Sequence, residues 1–257
     1  MTFSYIASGF AVGLLVGMTG VGGGSLMTPL LTLLFGVAPS VAVGTDLAFA
    51  SITKSAGAFT HRLRGTVRWD IVKRLCLGAL PAAVLSTLAL KAFGTLNQEI
   101  GLVIRYSIAG SVLLTVVALI FKSRMLAWIN AHPEKQLRGA PLLWATIVSG
   151  ALLGTLVTVS SIGAGAIGAT LLVMLYPSMS SAEVAGTDIA YAVPLTAIAA
   201  VGHWYLGSIN WELLFSLLIG SLPGITLGSW VARSVPEKFL RVLLAMTLTG
   251  VAFKLIY

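Results

Sequence analysis

The sequence predicts an all-α polytopic membrane protein made of two inverted repeats, each a re-entrant helical hairpin followed by three transmembrane helices. The composition, an internal repeat and the placement of the basic residues lead there. Of 257 residues, 57% are hydrophobic and 9% charged, and the mean hydropathy is +0.98. A surface this poor in charge belongs in lipid rather than in water. The repeat is carried largely by glycines. Gly9, Gly13, Gly22 and Gly24 return 141 residues later as Gly150, Gly154, Gly163 and Gly165. After one residue of slip, Gly44-Thr45-Asp46, His61, Gly65, Trp69-Asp70, Gly78 and Pro81 return 142 residues later as Gly186-Thr187-Asp188, His203, Gly207, Trp211-Glu212, Gly220 and Pro223. Two apolar halves with Gly-interrupted segments in corresponding places point to a secondary transporter whose site lies where the halves meet.

The first repeat, 1–121, opens with a hairpin over 5–36. Its apolar stretches 5–19 and 25–36 are each too short to span a bilayer as helix, and Gly20-Val21-Gly22-Gly23-Gly24 separates them. The second repeat, 142–257, opens with the equivalent hairpin 144–176, whose stretches 144–159 and 166–176 are parted by Ser160-Ser161-Ile162-Gly163-Ala164-Gly165. Glycines cost a helix roughly 1 kcal/mol each relative to alanine. Runs this dense therefore favour a break over the other reading, continuous helices packed closely through small residues. Apolar runs of spanning length give helices 44–61, 72–91 and 101–121 in the first repeat and 184–204, 212–232 and 239–257 in the second, with 122–141 as a linker. The runs are continuous and rich in Leu, Ala and Gly, without the two-residue alternation of an outer-membrane barrel. Pro81 and Pro223 sit inside matching helices and would kink them.

The basic residues set the topology. Arg62, Arg64, Arg68, Lys73 and Arg74 fall in one loop, Lys122, Arg124, Lys135 and Arg138 in another, and Arg233, Lys238 and Arg241 in a third, whereas Trp204 to Trp211 carries no cation. Three crossings per half place the basic loops 62–74, 122–138 and 233–241 all in the cytoplasm, as the positive-inside rule requires. Four crossings per half would put the third outside, so the halves are inverted. The net charge of +8 is thereby a matter of topology and does not imply a nucleic-acid partner. The N-terminal stretch Met1 to Phe10 has no Lys or Arg, so no cleavable signal is expected. Cys76, the single cysteine, has no intrachain disulfide partner and reads as a small apolar helix residue.

At each break the first amides of the outgoing half-helix lack intrahelical partners and carry the positive end of the helix dipole. Gly22, Gly23, Gly24, Gly163 and Gly165 would let an oxyanion approach the backbone, and Thr19, Ser25, Thr158, Ser160 and Ser161 would add hydroxyl donors. Neither break supplies the acidic rings of a cation pathway, so an anionic substrate is favoured. Lys54, mid-helix and seven residues before His61, is the sharpest intramembrane charge: it either attracts the substrate anion or pairs structurally with Asp46, and its counterpart is Thr196. Asp46 and Asp188 either cap the first turns of their helices or couple protons as buried carboxylates. His61 and His203 end matching helices on opposite faces, which excludes a shared metal site. They read as interfacial anchors beside Trp69 and Trp211 or as proton relays. No cofactor and no metal is expected.

The segment Gly17-Met18-Thr19-Gly20-Val21-Gly22-Gly23-Gly24-Ser25-Leu26-Met27-Thr28-Pro29-Leu30, the following Gly44-Thr45-Asp46-Leu47-Ala48 and the run from Gly57 to Trp69 resemble the TauE/SafE family of sulfite exporters, also called the 4-toluene sulfonate uptake permease family. A weaker likeness in the second copy, through Gly186-Thr187-Asp188 and His203 to Trp211, extends the resemblance over nearly the whole chain. It implies movement of sulfite, an organosulfonate or a similar small sulfur-containing anion across the bacterial cytoplasmic (inner) membrane. Ser161-Ile162-Gly163-Ala164-Gly165 departs from the denser glycine run of the first break.

An enzyme is disfavoured by the lack of a Gly-x-Ser-x-Gly elbow, a His-Glu-x-x-His helix, a Walker loop and paired cysteines. The expected function is a secondary transporter working by alternating access, with proton coupling as the functional alternative to capping for the carboxylates. An anion channel and a membrane-embedded sulfur-transfer protein are the alternatives. The expected partners are the anion and the lipid bilayer, and a homodimer is compatible with the glycine-rich surfaces.

Overall fold

The computed structural model describes residues 2–19, 24–93, 98–132 and 136–231, with 245–246, 248–250 and 252–254 near the C-terminus. Among these residues all regular structure is helical: α1 (Thr2–Thr19), α2 (Gly24–Leu34), α3 (Pro39–Leu63), α4 (Trp69–Phe93), α5 (Gln98–Ala131), α6 (Gly139–Ser160), α7 (Ala166–Leu175), α8 (Ser181–Tyr205) and α9 (Trp211–Val231). The predicted helix 239–257 and the basic loop 233–241 lie largely or wholly outside the described residues.

Among the described residues, five helices are long and apolar enough to cross a bilayer: α4, α5, α6, α8 and α9. The inclusion of α6 corrects the expectation that residues 144–159 are too short. The helix begins at Gly139, inside the predicted linker 122–141, and its 22 residues reach about 33 Å at about 1.5 Å per residue. α3 has 25 residues but carries Asp46 and Lys54 within it, which lowers its apolarity. α5 overruns its predicted end and takes in residues 122–131 of the predicted linker, where Lys, Arg, Met, Leu and Ala are good helix formers. At its end Trp128 stacks on His132 with ring centroids 4.9 Å apart. Large apolar side chains remain exposed along single helix faces, among them Leu77, Leu85 and Leu88 of α4 and Phe215, Ile219 and Leu222 of α9. A belt of that kind is a lipid-facing surface.

Each helix pair at a break returns on itself. In the second half, Thr146 Oγ1 on α6 lies 2.7 Å from the Tyr176 hydroxyl just after α7. In the first half, the 141-residue counterparts Tyr5 and Phe35 meet edge to face at 4.9 Å. The chain thus comes back toward the end from which α6 set out, with 139–145 extending beyond the point of closure.

The two halves are interlocked through glycines. Gly9 and Gly13 of α1 rest on the backbone of Leu217 and Ser221 in α9, and Gly150 and Gly154 of α6 rest on Leu75 and Ala79 in α4. From the other side, Gly220 abuts the backbone at Ile6 and Phe10, and Gly78 abuts that at Ile147 and Ala151. Each of these contacts in one pair maps onto the other by the repeat offsets, and in both pairs the helices run parallel. α3 and α8 instead run antiparallel: Gly44 lies against the Ser208 carbonyl and His203, and Gly186 against the Thr66 carbonyl and His61.

The Gly-Thr of each Gly-Thr-Asp motif therefore has a structural explanation. Glycine admits the loop carbonyl of the other half, and threonine accepts from the backbone beyond it. The Asn210 N–H donates to Thr45 Oγ1 at 3.1 Å, and the Arg68 N–H donates to Thr187 Oγ1 at 3.1 Å. Thr45→Val and Thr187→Val should each lower stability by about 1 kcal/mol, read as a loss of thermal stability in detergent. The two sites lie at opposite ends of the α3 and α8 pair, so the effects should add to within about 0.5 kcal/mol.

Candidate functional site

Three buried charges converge where the second break meets the central helices. α3 begins at Pro39 and α8 at Ser181, so Asp46 and Asp188 are the eighth residue of each helix. This corrects the reading of them as first-turn caps. The start of α8 is instead closed by a capping box, in which Ser180 Oγ accepts from the Glu183 N–H and the Glu183 carboxylate accepts from the Ser180 N–H. That S-x-x-E pattern is legible in the sequence. Freed from capping, both aspartates point into the protein, and Asp46 is fully buried.

Asp46 touches elements of both halves. Thr28 Oγ1 of α2 donates to Asp46 Oδ2 at 2.5 Å, and the Ser161 hydroxyl at the end of α6 faces the same carboxylate. Lys54, two turns further along α3, reaches across 110 residues of sequence to donate from Nζ to the Ala164 carbonyl at 2.8 Å, within the second break. Its ammonium is buried and within electrostatic range of Asp188 and Asp46. A cation in such surroundings needs these partners, because an unpaired buried charge costs several kcal/mol.

The second break is held by its own backbone. Ser161 closes α6 in the left-handed region at φ +59, its N–H donating to the Val157 carbonyl at 2.7 Å. Gly163 and Gly165 follow at φ +130 and +137, which L side chains rarely adopt, so these glycines make the turn. Ser160 Oγ donates to the Leu156 carbonyl at 2.7 Å, and Thr158 Oγ1 donates to the Gly154 carbonyl at 2.7 Å. Of the predicted hydroxyl donors in this break, Ser161 alone turns its hydroxyl toward a side chain, the Asp46 carboxylate, rather than a backbone carbonyl. In the first break, Gly22 and Gly23 and the side chains of Thr19 and Ser25 lie outside the described residues, and Gly24 is the first residue of α2.

Two site residues escape the sequence reading. Thr28 holds Asp46, and Tyr191 buries its hydroxyl beside Asp188. Both the Asp188 carboxylate and the Tyr191 hydroxyl crowd Gly168 in the first turn of α7, where a Cβ would strike them. Tyr191 lies three residues after Asp188, hence on the same helix face, and its repeat counterpart is Phe49. That single added hydroxyl is a signal in the sequence. Cys76, half-buried on α4, is within electrostatic range of Tyr191, so its position is nearer to the site than its distance from the breaks in sequence suggests. A cavity of about 290 Å³ between α5, α7 and α8 reaches this region, lined by Gly165, Ala169, Val184 and Asp188 among others.

The histidines part company. His61 is partly exposed, with Nδ1 2.8 Å from Thr66 Oγ1. His203 is fully buried, and its Nε2–H donates to the Thr158 carbonyl at 3.0 Å. An anchor in the interface cannot be buried in protein, so that reading is corrected for His203, which packs against Gly44. Trp69 and Trp211 are each about half exposed. Among the described residues no group of three or more His, Cys, Asp or Glu side chains is placed to hold a metal ion.

The likeness to known proteins covers the whole arrangement. The chain is 36% identical over 258 residues to the probable membrane transporter protein YjnA of Bacillus subtilis (strain 168), covering all of both chains. It is 27% identical to the probable membrane transporter protein YdhB of the same organism over 93% of each chain. It is also 26% identical to a probable membrane transporter protein of Xylella fastidiosa (strain Temecula1 / ATCC 700964), over 98% of this chain and 94% of that one. No solved structure matches it significantly. The family model described as Sulfite exporter TauE/SafE matches residues 5–255. A multi-pass helical chain with that match from end to end is a membrane transporter, and it belongs to the TauE/SafE sulfite exporter family.

Proposed function

We propose that this transporter moves a small sulfur-containing anion, sulfite or an organosulfonate or similar, across the bacterial cytoplasmic membrane by alternating access. The anion binds at the second break beside Lys54. Its movement is coupled to neutralisation of the buried carboxylates Asp46 and Asp188, by a proton in the simplest case. The observation that carries this reading is the Lys54 ammonium, which crosses from one half to the Ala164 carbonyl in the break of the other. A side chain that links the halves at the break is where a bound anion would sense their relative motion.

The halves are read as inverted repeats, with each broken segment entering and leaving on one side. Reciprocal glycine contacts support a two-fold relation between halves. α3 and its counterpart α8 run antiparallel, so that two-fold lies across the helix axes, in the plane of the membrane. Basic loops 62–74 and 122–138 are assigned to the cytoplasm. In support, Arg68 sits 3.7 Å from Glu183 at the start of α8, near the end of the molecule where the linker closes. The breaks then approach the membrane midplane, where non-helical backbone is tolerated because protein surrounds it.

The test is thermal stability of the purified protein across sulfite, sulfate, thiosulfate, small sulfonates and carboxylates, since a ligand that prefers the folded state raises apparent stability. A selective, saturable rise with one sulfur oxyanion is expected. That anion should then show counterflow in proteoliposomes, which a channel would not support. A flat panel, or a rise with carboxylates alone, would sink the substrate assignment.

A further inference from the structure

We propose that the cavity beside Asp188 is a vestibule open to the cytoplasm, and that a matching vestibule over Asp46 opens to the outside in a second conformation that excludes the first. The cavity, of about 290 Å³, begins among Leu126, Met179 and Ser181 and ends at Gly165 and Asp188. Ser181 opens α8 and Asp188 is its eighth residue, so the floor lies about 10 Å below the mouth at about 1.5 Å per residue. The mouth is at the end of the molecule where Arg68 meets Glu183, the end assigned above to the cytoplasm.

The two halves differ at this place. Ala185, Asp188 and Ile189 of α8 all line the cavity. Their counterparts 142 residues earlier, on α3, are Val43, Asp46 and Leu47, and each of these is 0% exposed. The paired residues are alike in chemistry, so residue type does not explain why one row lines a cavity and the other is sealed. A difference in conformation between equivalent elements does. Where repeats are inverted, rocking one against the other closes the opening on one side and creates its counterpart on the other.

The closure over Asp46 is made largely of contacts between the halves. Thr28 of α2 donates to the Asp46 carboxylate, the Ser161 hydroxyl faces the same group, and Lys54 donates to the Ala164 carbonyl. Ser161 and Ala164 both belong to the second break, so parting α3 from that break undoes their two contacts together. The counterpart of Lys54, Thr196, donates instead to the Ala192 carbonyl of its own helix. Each hairpin also rests backbone to backbone on a helix of the other half, α6 on α4 and α1 on α9. Movement of one hairpin is thereby carried into the other half, which makes the two openings alternatives rather than independent events. The inference rests on the transporter reading above for its two sides, and on no particular substrate.

The experiment reads reaction with a membrane-impermeant maleimide in inside-out and right-side-out membrane vesicles, on full-length protein carrying Cys76→Ala, with no sulfur anion added. Ala185→Cys should react from the cytoplasmic face and Val43→Cys from the outer face. A double variant with both cysteines is labelled first in inside-out vesicles, where the adduct at position 185 keeps the inner cavity from closing, and is then solubilised. Reaction at position 43 should now be slower by at least about tenfold, the size of the population shift that the adduct imposes. Should either variant fail to fold, Ile189→Cys and Leu47→Cys take the place of the pair. An outer-half cysteine that never reacts from the outside, or that reacts equally fast with the inner cavity plugged, overturns the proposal. Selective stabilisation by a sulfur anion would then still support the substrate assignment. Alternating labelling together with a flat anion panel would keep the two vestibules and sink the substrate assignment instead.

Discussion

Lys54→Met is expected to weaken binding of the sulfur anion by at least about thirtyfold. Removing one partner of a buried, hydrogen-bonded charge pair costs about 2–5 kcal/mol of binding energy, and about 1.4 kcal/mol is a factor of ten. The ammonium is buried, bonded to the Ala164 carbonyl and flanked by Asp46 and Asp188, so no solvent replaces it. Its loss also removes the ammonium from beside two buried carboxylates, which threatens the fold as well as the site. The double variant Lys54→Met with Asp46→Asn removes one of those charges. It should recover thermal stability without recovering anion affinity, whereas Lys54→Arg should retain part of both. Unchanged affinity in a folded Lys54→Met protein would reduce the lysine to a structural partner of the aspartates.

Gly78→Ala is expected to destabilise the protein by about 1–3 kcal/mol, as overpacking of a filled interior does. Gly220→Ala should do the same at the matching contact. A Cβ at Gly78 would collide with the Ile147 carbonyl, and one at Gly220 with the Ile6 carbonyl, and in each case the obstacle is helix backbone that cannot rotate away. The helices of the two halves would have to separate, in a setting where close packing drives association. Gly110→Ala on α5 is the control. Nothing lies within 4 Å of the added methyl there, and replacing a helical glycine should raise stability by about 0.5–1 kcal/mol. Thermal unfolding of the three variants beside the parent checks the contrast. Equal effects at Gly78 and Gly110 would mean that the interlocked packing does not support the fold.

The buried charges of the site were legible because lipid makes charge expensive. Lys54, Asp46 and Asp188 stand out against apolar runs, and all three are buried in the protein. Their roles were less legible. Asp46 and Asp188 follow a Gly-Thr pair that resembles a helix start, yet each helix begins seven residues earlier. Pro39 and the Ser180 capping box had claimed those starts. His61 and His203 occupy equal places in the repeat, but one is partly exposed and the other sealed under Thr158. The repeat predicts equivalence of position, while burial depends on what the other half lays over each position.

Composition and periodicity along the chain were sufficient for the membrane class, the helical architecture, four of the five candidate spans, the two-copy pattern and the family. These properties are local: twenty apolar residues require a helix in lipid whatever surrounds them. The packing of one half on the other decided the rest. It distinguishes Gly78, pressed on a carbonyl, from Gly110, which touches nothing. It also brings Lys54 to Ala164, Thr28 to Asp46 and Tyr191 to Gly168. Partners so far apart in sequence are joined by the fit of helix surfaces, which no window along the chain contains.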